Sequence, residues 1–161
     1  MKIIRFCLLR DLLAVLLLAL AAAPATAADE PAGEATPAAK VERLSSSDRL
    51  KIQRVISLQL KAFARNDEAL AFSYSTPETR QYFGSSRAFM EMVRDGYTVL
   101  FKNTSREFLE AAVIDGQVIQ PLRIVARDGE ALVALYTLER QPDQEWRIGS
   151  CELAPSTLQA T

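Results

Sequence analysis

Any chemistry in this chain would come from four tyrosines, Tyr74, Tyr82, Tyr97 and Tyr136, from scattered carboxylates and from two cysteines, because the sequence contains no histidine. That absence removes the commonest general base near neutral pH, the usual zinc ligand and the Ser/His and Cys/His nucleophile pairs. What remains is carboxylate and phenol chemistry, in which an acid moves a proton while a phenol or a protonated acid holds the oxyanion. The phenols are plentiful, but the carboxylates are poorly placed. Asp115 and Asp128 belong to turn signals, Glu107 and Glu145 to strand ends, and Glu130 and Glu139 to the two ends of one apolar run. Only Glu110 and Glu152 fall inside strand-like segments, and an ordinary solvent-facing glutamate outweighs a catalytic base for either. No nucleotide loop, nucleophile motif or metal-ligand spacing is present, so no catalytic residue, metal or cofactor is assigned. An enzyme is the weakest of the functional readings.

The compartment is expected from the N-terminus. Lys2, Arg5 and Arg10 precede an apolar run from Leu12 to Ala23, and Ala25-Thr26-Ala27 offers small residues for cleavage. This predicts a signal peptide over residues 1–27 and a periplasmic or secreted mature chain. The alternative is an uncleaved inner-membrane anchor; the 12-residue run, stopped by Pro24, is short of the roughly 20 residues a span needs. No membrane span is then expected after cleavage. Cleavage also removes Cys7 and leaves Cys151 without an intramolecular disulfide partner. A buried small hydrophobe is the leading reading of that thiol.

Losing Lys2, Arg5, Arg10 and Asp11 leaves 16 basic against 19 acidic side chains, a net charge of −3. With arginines scattered among acids there is no basic stripe to displace counterions, so nucleic acid is excluded as a partner. Residues 28–44 begin with ADEPAGEATPAA, which has no large apolar side chain to offset its ordering entropy, and read as a disordered spacer. One α+β domain is expected over 45–155, followed by a tail at 156–161.

Within that domain helices come first. Ser45 and Asp48 give an S-x-x-D start, and Ile52, Val55, Ile56, Gln59 and Phe63 recur at helical spacing. Gln59 interrupts the apolar face, and a hydrogen-bonded core glutamine is favoured over a ligand contact. A short helix over Asp67 to Phe72, a third from Thr76 with Pro77 at its first position, and a fourth from Ser85 or Ser86 to Gly96 follow. Tyr97 to Phe101 is open between strand and helix. Four strands are then predicted, Arg106–Ile114, Gln117–Arg127, Glu130–Arg140 and Glu145–Leu153, with hairpin signals at Asp115-Gly116 and Asp128-Gly129. A two-residue Asp128-Gly129 turn would pair Arg127 with Glu130 and Pro121 with Tyr136, and both faces of the middle strands would be apolar.

The segments IxxQLxAFxxND (Ile56 to Asp67), AFSYSTP (Ala71 to Pro77), YFGSSRAFMEMV (Tyr82 to Val93), ALYTLERQPD (Ala134 to Asp143) and WRIGSCEL (Trp146 to Leu153) resemble the bacterial family called domain of unknown function 4864. The likeness extends from about Asp48 to Leu153 and is carried mostly by packing and turn residues. It departs from the family order just before Cys151, where this chain reads Gly149-Ser150. That family is similar to the nuclear transport factor 2-like superfamily, so the resemblance implies a cone in which N-terminal helices pack on a curved four-stranded meander. It also implies a pocket between helices and sheet, with Gln59, Tyr74, Tyr82, Tyr97, Gln120, Tyr136 and Trp146 as candidate lining residues. The superfamily hosts isomerases, lipid carriers and assembly modules, so it licenses no single activity. Three functions are therefore weighed: a non-catalytic module holding a small apolar ligand or lipid, an interaction or self-association module using the sheet, and a carboxylate/tyrosine isomerase or hydrolase. A cone filled by its own aromatics is the competing expectation to a hollow one.

Overall fold

The computed structural model describes residues 41–42, 44–114 and 116–156. The expected signal peptide, most of the expected spacer and most of the expected tail lie outside the described residues. Ser45 opens the first helix as its S-x-x-D signal predicts: its hydroxyl accepts from the Asp48 N–H at 3.0 Å and donates to the Asp48 carboxylate at 2.8 Å. Helix α1 (Ser46–Ala64) then buries Ile52, Val55, Ile56, Gln59 and Phe63 on one face. Helices α2 (Glu68–Ser73), α3 (Pro77–Phe83) and α4 (Ser86–Gly96) are capped by Asp67, Thr76 and Ser85, each accepting from a backbone N–H three residues on. The open segment after α4 is a single 3-10 turn, Thr98–Leu100.

Among the described residues the sheet is antiparallel throughout and has six strands rather than four: β1 (Val41–Glu42), β2 (Asn103–Phe108), β3 (Ala112–Ile114), β4 (Gln117–Ala126), β5 (Ala131–Arg140) and β6 (Trp146–Pro155). Its order is β1-β3-β4-β5-β6, with β2 also on β4. The predicted strand Arg106–Ile114 breaks in two because its partner carries Pro121. Phe108 pairs with Leu122 and Ala112 with Ile119, so one extra residue is accommodated between them. The Leu109 N–H donates to the Pro121 carbonyl at 3.0 Å, but proline has no N–H to return. The Gln120 side chain supplies that donor, its Nε2 reaching the Leu109 carbonyl at 2.8 Å and the Pro121 carbonyl at 2.9 Å.

Two further departures alter which side chains face the helices. The hairpin after β4 is one residue longer than the two-residue turn expected. Ala126 N–H donates to the Glu130 carbonyl, Gly129 N–H returns to Ala126, and Gly129 sits at φ +89°. This is a three-residue loop with glycine in the left-handed position. Each β4 residue therefore meets a partner one place earlier than expected, Gln120 with Tyr136 and Leu122 with Ala134. The second departure is in β6, where Leu138 pairs with Ile148 but Thr137 with Ser150, leaving Gly149 as an extra residue. Beyond this bulge Cys151 and Leu153 take the core side, opposite Tyr136 and Ala134, and Glu152 is exposed.

The core thus lies between the helices and the β4 residues Val118, Gln120, Leu122 and Ile124 with their β5 neighbours Ala134, Tyr136 and Leu138, all buried. Phe63, Phe72, Phe83, Phe89 and Phe101 fill the helical side, with ring centroids 5.3–6.1 Å apart along the chain of contacts. The other sheet face carries Ile119, Pro121, Val125, Val133 and Leu135, which are partly exposed and stand outside the core cluster.

Candidate functional site

A hollow of about 50 Å³ remains between helices and sheet. Its walls come from Gln59 and Phe63 of α1, Ser75 and Thr79 around the start of α3, Phe83 at its end, and Phe89, Met92 and Val93 of α4. Tyr97 and Leu100 close one side, and Tyr136 with Ile148–Cys151 forms the sheet side. The junction is held by the main chain. Ile148 N–H donates to the Tyr74 carbonyl at 2.9 Å, Thr76 N–H to the Ile148 carbonyl at 3.0 Å, and the Thr79 hydroxyl to the Gly149 carbonyl at 2.7 Å.

Most polar groups in this wall are already satisfied. Gln59 Nε2 donates to the Ala71 carbonyl at 3.2 Å, the core role favoured for it. The Tyr97 hydroxyl donates to the Cys151 carbonyl at 2.9 Å. Tyr136 is different: it is 0% exposed and its hydroxyl has no hydrogen-bond partner. Burial drives its ionisation well above the usual phenol range, with the neighbouring Cys151 adding to the shift. The Cys151 thiol makes no well-formed hydrogen bond to it and is a weak partner in any case. Burial pushes that thiol up to about 12, the nearby phenol only partly opposing it, so both groups are neutral proton donors at physiological pH. Tyr97 is raised as well, chiefly by burial.

No Asp or Glu among the described residues lines the hollow, so a carboxylate base has no place there. Of the two acids expected inside strands, Glu152 is on β6 and Glu110 falls in the break between β2 and β3; both are exposed, and Glu110 is paired with Arg49 at 3.0 Å. Among the described residues no cluster of three or more potential ligands is placed for a metal ion.

The candidate lining set separates into four locations. Gln59, Tyr97 and Tyr136 meet at the hollow. Gln120 is buried at the strand break, where its Oε1 is also unpaired. Tyr82 is 66% exposed, its ring edge-on to Phe83. Tyr74 and Trp146 line a separate groove of about 450 Å³ between α1 and the start of β6. Ser75, Thr79, Met92 and Ser150 were not among the expected residues. Met92 comes from α4, while the placement of Ser75, Thr79 and Ser150 depends on the Gly149 bulge and the bridge between Ser75 and Ile148, which no periodicity encodes.

No curated protein and no solved structure matches the chain. Residues 45–161, which include every helix described and all but the first strand, match the family described as Domain of unknown function (DUF4864), and the chain belongs to that family.

Proposed function

We propose that this domain is a non-catalytic binding module of the nuclear transport factor 2-like type, exported from the cytoplasm, whose hollow holds a small uncharged molecule or the end group of one. The Tyr136 hydroxyl carries this reading. A fully buried donor with no acceptor is uncommon in folded proteins, and here it lines an apolar hollow, which has the chemistry of a ligand site, an apolar wall with a polar group aimed into it, at a much smaller size. The ligand it suits presents one hydrogen-bond acceptor, such as a ketone, aldehyde or ether oxygen, to the phenol. Size narrows the class further. About 50 Å³ takes roughly four water-sized groups, since each needs about 10–15 Å³. That suits a short chain or a small ring edge rather than a lipid acyl chain.

The absence of an acid from the walls favours holding over turnover. Native mass spectrometry of protein purified from its natural source, repeated after organic extraction, tests the proposal. A bound neutral molecule lost on extraction is the expected result. A bare mass that also fails to change on adding short ketones would overturn it.

The sheet supports a second reading. Ile119, Pro121, Val125, Val133 and Leu135 are grouped around Arg123 on the face away from the core, a largely apolar surface suited to self-association or docking on another envelope protein.

A further inference from the structure

The larger groove has a different chemistry from the hollow. Lys51, Arg54, Val55 and Leu58 recur at i, i+3, i+4 and i+7 and so form one stripe of α1. Across from them stand Tyr74, Trp146 and Arg147. Val55 and Trp146 are buried and give the groove an apolar floor. Its volume of about 450 Å³ lies within the roughly 300–1,000 Å³ of small-molecule sites.

The charges around it are unbalanced. The Arg49, Arg87, Arg94, Arg140 and Arg147 side chains are each paired with an acid within 3.4 Å. Lys51 and Arg54 form no ion pair or side-chain hydrogen bond with any described residue. Asp48, the acid nearest in sequence to Lys51, makes its close contacts with Ser45, Arg140 and the Trp146 indole N–H and feels the Lys51 charge only as the weakest of its stabilising influences. Glu145 is the single carboxylate on the wall, and it is exposed. The Tyr74 hydroxyl is also without a partner among the described residues. Two exposed cations outside any close ion pair among the described residues, a phenol and an aromatic floor converge on one opening in a chain that is acidic overall.

We propose that this groove binds a small organic anion with a flat apolar body. Its carboxylate, sulfonate or phosphate would pair with Lys51 and Arg54, and its body would lie against Trp146, Val55 and Tyr74. The site is separate from the hollow and does not depend on the reading given to Tyr136.

Trp146 is the only tryptophan in the chain, so its fluorescence reports this groove directly. The test titrates the full domain with 8-anilinonaphthalene-1-sulfonate and with N-phenyl-1-naphthylamine, which keeps the aromatic body and lacks the sulfonate. The sulfonate should quench Trp146, bind more tightly than the neutral probe and weaken with salt. The K51A/R54A variant, altered only at exposed positions, should bind it about tenfold less tightly, as losing two ion pairs implies. Y136F should leave this titration unchanged. Equal binding of the two probes, undiminished binding by K51A/R54A, or no quenching at all would overturn the proposal.

Discussion

A buried hydroxyl left without a hydrogen-bond partner costs roughly 1–3 kcal/mol, and Tyr136 carries such a group. Removing it should therefore not weaken the fold. Tyr136→Phe is expected to unfold in urea at the same concentration as the parent or a higher one; a clear loss of stability would mean that the hydroxyl has an internal acceptor. Cys151 gives a second residue-scale expectation. With its thiol pushed to about 12, it stays protonated across the range where free cysteine ionises, and the thiolate is the reactive form. Iodoacetamide labelling of the folded domain should stay slow and nearly flat from pH 7 to 9, then become fast in denaturant. A rise like that of free cysteine would show an ionised, accessible thiol. Single residues were also where the sequence was hardest to read. Tyrosine content identified four phenols, but nothing local separates Tyr136 at 0% exposure from Tyr82 at 66%. Strand register sets the burial of Tyr136, whereas Tyr82 lies on the short helix α3, which has no buried residue.

At the scale of elements, helix starts were legible because capping is local: Ser45, Asp67, Thr76 and Ser85 each bond within three residues of themselves. Strand pairing was not, because it depends on turn length and on bulges that a two-residue period cannot reveal. One added loop residue at Arg127–Gly129 moves Gln120 opposite Tyr136, and one added residue at Gly149 turns Cys151 toward the core. Pro121 was read as an ordinary member of its strand; neither the break opposite it nor the repair of its missing donor by the adjacent Gln120 side chain was foreseen. That repair can be tested by a double-mutant cycle. Gln120→Leu alone leaves the Leu109 carbonyl unpaired and should cost about 1–3 kcal/mol. In a Pro121→Val background a backbone N–H is restored beside that carbonyl, so the same substitution should cost less. Equal costs in the two backgrounds would show that Gln120 does not substitute for the proline donor.

For the whole molecule, the α+β class with helices before an antiparallel sheet follows from the order of periodicities, and the structure has it. The aromatics do fill most of the space between the layers, yet a small hollow persists beside Tyr136. The largely apolar outer face of the sheet belongs to this scale too. If it mediates self-association, sedimentation velocity should show a dimer that Leu135→Arg converts to a folded monomer; a parent that stays monomeric at high concentration would remove that reading. The proposal stands or falls on whether the hollow receives a small molecule through the Tyr136 hydroxyl. It is tested most directly by NMR titration of the parent domain and Tyr136→Phe with 2-butanone and with pentane, which matches it in size but offers no acceptor. Shifts confined to Gln59, Tyr97, Tyr136 and Cys151 and their neighbours are expected, with the ketone binding the parent more tightly than the alkane and losing that advantage in Tyr136→Phe. Equal responses to both molecules in the parent, or none, would contradict it.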